Sequence, residues 1–387
     1  MSTAPPLQGV LVLEVGAFMA APFATMQLAD LGARVVKIEP PEGGDPTRSA
    51  GPFLDGESSP FLRMNRNKES VVLDLKDDAG RDAFLALADR ADVVVENLRP
   101  GAMDRLGLGP TALSGRNPGL VYASASGWGQ EGAASGRPGL DIMAQAASGL
   151  MSVTGPPEGD PVKVGVPVCD LVTALYVALA VTAALRERDR SGTGQHIDVS
   201  LLESGVSLAV WEAGMYFGDG EVATRQGSAH QRYAPYQAVR TADGHVTVGA
   251  NTPRLWSALC RALGLTALEE DPRFADTSGR LANREALVER IEKVTTGLPS
   301  ADVLASLEAA GVPCAAIAGY DEVFTDPLLD GRDFFWDAAH PALGPVRQLG
   351  SPMRFSRTPA RRGTAGPPLG SATADVLAEL PGREARR

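Results

Sequence analysis

Residues 1–200 predict an α/β fold, a large Rossmann-like domain on a parallel sheet, with a smaller α+β domain after it. Three observations carry that expectation. Short β-branched runs alternate with helix-length segments through the first half of the chain. The run Leu171 to Leu185 is apolar or Thr, rich in Ala and Leu, and unbroken by Gly or Pro, so it reads as a buried helix too short to span a membrane. From about Gly218 the texture changes to polar loops and separated helices.

Taken in order, Val10 to Val15 is a strand ending at Gly16. Pro22 to Leu31 is a helix with Pro in its first turn, and Ala33 to Ile38 is a second strand after the stop at Gly32. Such a strand–helix–strand unit predicts a parallel pair with a right-handed crossover. Its first turn lacks both G-x-G-x-x-G and G-x-x-x-x-G-K, so the nucleotide fingerprints are absent. Pro40 to Arg48 is loop. Ser70 to Leu75, Asp92 to Glu96 and Leu120 to Ser124 are strands, with helices at Asp77 to Arg90 and from Met103 to Leu108. Gly16–Ala20 and Asn97–Gly101 each follow a strand directly, so both can line one crevice. Ser126 to Pro138 is loop, Asp141 to Met151 a helix, and His196 to Ser200 a strand. Leu201 to Tyr216 reads as a second long apolar helix and Thr224 to Ala238 as polar loop.

Beyond these, Gly244 to Ala250 is a strand after an Asp-Gly turn. Pro253 to Leu263, Gly279 to Val294 and Ser300 to Ala310 are helices, and Cys314 to Ile317 is a strand. His340 to Phe355 is strand-like. Thr358 to Pro368 is an extended surface segment, Thr373 to Leu380 a last helix, and the basic tail is expected to fray. The domain division that follows is 1–217, 218–330 and a C-terminal segment at 331–387.

Composition narrows the function. Lys plus Arg is 36 against 47 Asp plus Glu, a net charge of −11, which disfavours a nucleic-acid surface as the main business. The three cysteines (169, 260 and 314) and the four histidines show no metal-ligand spacing, so no metal site and no disulfide framework is expected. The opening residues have neither a basic nor an apolar leader segment, and a cytoplasmic enzyme is the expectation. No Ser sits in G-x-S-x-G, which sets aside the hydrolase elbow.

What remains is a pair of carboxylates, Asp141 and Asp170, with basic residues in loops: Lys76, Arg99, Arg105 and Arg137. Asp170 falls where the apolar helix begins, so first-turn N–H groups and the positive end of the dipole would face it. An Asp there is ordinarily a helix cap. A carboxylate with little water around it is also a usable nucleophile toward an activated acyl carbon. The four basic residues are ordinarily solvated charge, and around one crevice they could hold a phosphate-bearing carrier.

The sequence resembles the class III coenzyme A transferases, the formyl-CoA transferase or CaiB/BaiF type. The matching stretches are Pro6–Val15 into Gly16–Pro22, Val36–Arg48, Asn65–Lys76, Val95–Gly107, Arg137–Gly155, Val168–Gly194 and Tyr233–Ala250, nearly the whole chain. Ser148–Gly155 and Ala234–Ala238 are most similar to members acting on succinyl-CoA and dicarboxylic acids. The resemblance implies CoA transfer from an acyl-CoA donor to a carboxylic acid through an aspartyl-CoA thioester on Asp170, with neither ATP nor metal. It implies CoA contacts at Phe18, Met19, Ala20, Leu73, Lys76, Asn97, Leu98, Arg99, Arg105, Arg137 and Asp141. It further implies a C-terminal segment returning to the large domain and an interlocked homodimer. The chain departs from the family at Pro40, where some members are basic, and in lacking a Gly run between Gly218 and Asn251.

Two rival readings share the fold. An α-methylacyl-CoA racemase would carry Gly-His-Asp where this chain has Gly139-Leu140-Asp141, so a base titrating near neutrality is missing. A non-catalytic acyl-CoA-binding protein would have no use for Asp170 at the helix start.

Overall fold

The computed structural model describes residues 4–380, and the basic tail from 381 onward lies outside them. Two compact units divide the chain. One takes in the described residues up to Leu150, Lys163–Val210 and the described residues from Pro327 onward; the other takes in Met151–Val162 and Trp211–Asp326.

The first unit is built on six strands: β1 (Leu11–Val15), β2 (Arg34–Glu39), β3 (Lys68–Val72), β4 (Val93–Glu96), β5 (Val121–Ser126) and β6 (His196–Ser200). They lie in the order β3-β2-β1-β4-β5-β6, with every pairing parallel. The chain steps outward from β1 to β2 and β3, then returns to lay β4 on the other side of β1. The winding therefore reverses between β1 and β4, and the loops leaving these strands diverge to open a crevice at their carboxyl ends.

Five helices of this unit frame the site: α1 (Ala20–Asp30), α2 (Asp78–Ala88), α3 (Asp141–Ala147), α4 (Val168–Ser191) and α5 (Leu201–Val206). The central strands β1 and β4 read as near-continuous apolar runs because both faces of the sheet are covered there, while the edge strands β3 and β6 carry more polar residues. Val12, Val35, Val93 and Val121 point to the side of α1 and α4, where Ala21, Ala24, Ala174 and Val177 let the two helices approach closely. Leu13, Val36 and Val94 point to the other side, against Phe84 and Leu87 of α2 and Val376 of the last helix, Thr373–Ala378. Each such fully buried aliphatic or aromatic side chain contributes about 1.5–3 kcal/mol.

The second unit holds a three-stranded antiparallel sheet of Tyr236–Arg240, His245–Gly249 and Cys314–Ala316. Helices Pro253–Ala262, Arg284–Thr295 and Ser300–Ala309 pack on it around Trp256, Leu259, Ile291 and Leu307.

Several local expectations need correction. The Leu171–Leu185 run sits inside a helix of 24 residues. At about 36 Å, α4 is long and apolar enough to cross a membrane by length and composition, so it is not too short for a span. It grows because Val168 to Asp170 join its first turn and the charged run after Leu185 stays helical to Gly192, which ends it in a left-handed turn (φ 77°). Nor is it buried all round: Leu175 and Leu179 are exposed, at 51% and 65%. The helix expected over Leu201–Tyr216 breaks at residues 207–209. There Leu208 and Ala209 donate three residues back, and the Ser207 hydroxyl bonds the Ser204 carbonyl at 2.7 Å. The polar loop expected up to Ala238 turns into a strand at Tyr236, because the Asp243-Gly244 turn closes a hairpin whose first arm alternates too weakly to be recognised.

Candidate active site

The segments that leave the carboxyl ends of β1, β2, β3 and β4 meet at the reversal point of the sheet. After β1 the chain turns through Gly16, where an added Cβ would stand 2.7 Å from the Ala21 Cβ and 2.8 Å from the Asn97 Oδ1, so a side chain has no room. Asn97, in the turn after β4, grips Ala17 on both sides: its Oδ1 accepts from the Ala17 N–H at 3.0 Å and its Nδ2 donates to the Ala17 carbonyl at 2.9 Å. Phe18 is left-handed (φ 60°) and 58% exposed, and Met19 leads into Ala20, the buried first residue of α1.

A buried charge cluster holds this turn from beneath. Lys37 donates from Nζ to the Gly16 carbonyl (2.9 Å) and pairs with Glu14 (2.6 Å) and Asp45 (2.8 Å). Asp45 Oδ1 accepts from the Phe18 N–H at 3.3 Å and from the Thr47 N–H and hydroxyl. The second oxygen of Glu14 takes Lys68 (2.8 Å) and the Thr25 hydroxyl (2.5 Å). Burial alone would raise the Glu14 pKa, but Lys37 and Lys68 outweigh it and hold it at about 2. Burial, with Lys37 nearby, pulls Lys68 down to about 8 although Glu14 opposes this. Glu96, at the end of β4, accepts from the Leu98 N–H at 2.7 Å, and burial pushes its pKa up to about 7.

Beside the turn lies a mainly apolar cavity of about 330 Å³ walled by Gly16, Ala17, Pro40, Leu73, Lys76 and Leu98. Pro40, where some members of the resembling family are basic, is part of this wall. Lys76, Arg99, Arg105 and Arg137 are all exposed, and none forms an ion pair among the described residues. Their exposed side chains are accessible to an anionic ligand.

Asp170 is the third residue of α4 and half-buried. It does not cap the helix. That task falls to Asp141, the first residue of α3, whose Oδ1 accepts from the N–H groups of Cys169 (2.9 Å) and Asp170 (3.3 Å). Gln145, fully buried one turn along α3, donates to Asp141 Oδ2 at 2.6 Å and accepts from the Val164 N–H at 2.8 Å. The Asp170 carboxylate has no hydrogen-bond partner among the described residues. Desolvation, with the like charge of Asp141 beside it, pushes its pKa up to about 7. The adjacent Cys169 thiol is raised to about 11 by burial and stays protonated. Among the described residues no group of three or more His, Cys, Asp or Glu is placed to hold a metal ion.

The structure thus gathers Gly16–Ala17, Leu73, Lys76 and Leu98 around one cavity, tied together by Asn97, and sets Asp141 against Asp170. Phe18, Met19 and Ala20 share the β1 turn, while Arg99, Arg105 and Arg137 stand on exposed loop or helix-end positions. Sequence reasoning did not single out Lys37, Asp45 or Gln145. The only local signal for the first two is that charged residues interrupt an otherwise apolar strand and its following loop.

A doubly wound sheet with a mainly apolar cavity at its switch point, Lys76 in its wall, and an unpaired carboxylate opening an apolar helix, fits an enzyme that grips an anionic acyl carrier. The chain belongs to CoA-transferase family III, whose model matches residues 7–373. It is 38% identical over 376 residues to the succinyl-CoA:glutarate CoA-transferase of Mus musculus, covering 97% of this chain and 86% of that one. It is 39% identical over 383 residues to the succinyl-CoA:mesaconate CoA-transferase of Haloarcula hispanica, covering 96% of each. A CaiB/BaiF family protein from Brucella suis has the same fold, with a TM-score of 0.87 at 36% identity over 97% of this chain and all of that one.

Proposed function

We propose that this CoA-transferase moves CoA from succinyl-CoA to a dicarboxylic acid, with Asp170 as the nucleophile. The observation that carries the reading is the Asp170 carboxylate itself: half-buried, uncapped and without a hydrogen-bond partner, at the N-terminus of α4. A carboxylate that spends no lone pair on the backbone keeps its nucleophilicity. Its oxygen attacks the thioester carbonyl, the C–S bond breaks, and CoA leaves as thiolate from the mixed anhydride. The thiolate attacks the Asp170 carbonyl carbon, breaking the C–O bond, which releases succinate and leaves an aspartyl-CoA thioester. The acceptor carboxylate attacks that thioester, and the thiolate it releases takes the acyl group from the new anhydride, restoring Asp170. One thioester is exchanged for another, so no ATP or metal enters the balance.

For the carrier, Phe18, Met19, Ala20, Leu73, Asn97 and Leu98 supply the wall at the switch point. Lys76, Arg99, Arg105 and Arg137 meet phosphates through charge-assisted bonds. Asp141 stands at the thioester end beside Asp170. The names of the relatives make glutarate and mesaconate the first acceptors to screen. The reading includes a homodimer, supported by the exposed apolar face of α4 at Leu175, Tyr176 and Leu179. It also includes a cytoplasmic setting, supported by three free cysteines, and needs no membrane or nucleic-acid partner. The large unit carries the CoA chemistry, and the smaller one shapes acid selection.

Intact-protein mass after mixing with succinyl-CoA tests the reading. The expected result is a CoA-sized adduct on Asp170 that hydroxylamine removes, absent together with turnover in Asp170→Ala. Turnover persisting in Asp170→Ala overturns it. The rate should also fall as the pH drops through about 7, where Asp170 takes up its proton.

A further inference from the structure

We propose that Asp141 and Gln145 form a positioning device that reserves Asp170 for chemistry by taking over the cap of its helix. The inference rests on Asp170 being the nucleophile. The first turn of α4 presents N–H groups that no helical carbonyl can satisfy. An acidic side chain at its third position is well placed to fold back on them, and a carboxylate that accepts such bonds is both acidified and less nucleophilic. Here those donors are already taken: the Cys169 and Asp170 N–H groups bond Asp141 Oδ1 at 2.9 and 3.3 Å. Asp170 is left with a bare carboxylate.

Gln145 makes the arrangement rigid. It is fully buried, donates to Asp141 Oδ2 at 2.6 Å, and accepts from the Val164 N–H at 2.8 Å. One amide thereby joins α3, the connector before α4 and the capping carboxylate. The spacing of Asp141 and Gln145, one helical turn apart, puts both on the same face of α3.

The device also contributes to the charge state of Asp170. Arg63 and Arg66 share a cavity with the neighbouring Leu171, and Lys163 on the connector is exposed, while Asp141 is the charged group that perturbs Asp170. The Cys169 thiol is neutral, Glu203 of α5 is bonded by Ser200 at 2.6 Å, and Asp30 of α1 is paired with Arg66. Desolvation is the larger cause of the raised pKa of Asp170 and Asp141 the second. Replacing Asp141 by the near-isosteric Asn keeps an oxygen for the cap and removes the like charge; Ala removes both.

The experiment measures steady-state kinetics and the pH profile of kcat/KM with succinyl-CoA and glutarate for the full chain, Asp141→Asn, Asp141→Ala and Gln145→Leu. Asp141→Asn should shift the acidic limb to lower pH. Asp141→Ala and Gln145→Leu should lower kcat by roughly tenfold to a hundredfold, with the succinyl-CoA KM held within about threefold, as expected of a misplaced reacting group. A raised succinyl-CoA KM in Asp141→Asn with kcat and the acidic limb unchanged would overturn the proposal and make Asp141 a carrier contact. Should the Ala variant fail to fold, the Asn limb alone decides. Adduct mapping on Asp170→Ala separates the two levels: an adduct or turnover there refutes the nucleophile, whereas loss there with an unmoved limb in Asp141→Asn refutes only the positioning device.

Discussion

Glu14 and Asp170 are both acids withdrawn from bulk water, and the protein treats them in opposite ways. Glu14, at the end of β1, has two ammonium partners and a hydroxyl, and is held at about 2. Asp170, at the start of α4, has no partner, a second carboxylate beside it, and a pKa of about 7. Burial raises both; the neighbours decide the sign. The satisfied cluster is scaffold, since it fixes the turn that the carrier must meet. The unsatisfied carboxylate carries free energy that no fold needs, and such sites are where chemistry is found. The candidate nucleophile is marked by the bonds it does not make.

The comparison breaks most visibly at Glu14. Glu14→Leu leaves Lys37 and Lys68 buried without their shared carboxylate, and should destabilise the protein by about 3–5 kcal/mol, measured by urea unfolding. The sign with pH follows from the depressed pKa. Glu14 contributes fully above its unfolded value of about 4.3, and the contribution is lost as the pH falls toward about 2. A variant as stable as the parent at pH 7 would mean that the cluster is not scaffold.

Asp170 should behave in the reverse sense. Its folded pKa lies above the unfolded one, so its favourable contribution is present below about pH 4 and is lost as the pH rises through about 7. Asp170→Asn has no charge to desolvate. At pH 8 it should therefore be more stable than the parent by about 1–3 kcal/mol, allowing for partial solvent screening, with the two curves converging below pH 4. Thermal unfolding across that range checks it, and a destabilised Asn variant at pH 8 would remove the contrast with Glu14. A smaller effect sharpens the scaffold side. Asp45→Ala releases the Phe18 N–H and should raise the acyl-CoA KM by roughly fivefold, about 1 kcal/mol, with kcat within about twofold.

Much of the first unit was legible along the chain. The β-branched runs at Leu11–Val15, Arg34–Glu39 and Val93–Glu96 and the apolar helix with Asp170 at its start all stand near where periodicity and turn residues put them. The weaker readings failed at short-range hairpin and turn contacts that hydrophobic periodicity does not encode. Tyr236–Arg240 is a strand because His245–Gly249 pairs with it. The Leu201–Tyr216 run breaks because serine and backbone contacts replace helical ones.

The order of strands and helices, the place where a loop must follow β1 and β4, and the position of an acid at the head of an apolar helix are all written in the chain. These depend on interactions within a turn or two of chain, and such preferences are written locally. Which acid is paired and which is bare depends on contacts that form only in the folded unit. Asn97 reaches Ala17 across 80 residues, Asp141 reaches Cys169 across 28, and Lys68 reaches Glu14 across 54. A carboxylate's ionisation and nucleophilicity depend on the charges and donors within a few ångströms of it. Those neighbours are chosen by the packing of the whole unit, so the chemistry of Asp170 becomes readable only once Asp141 stands beside it.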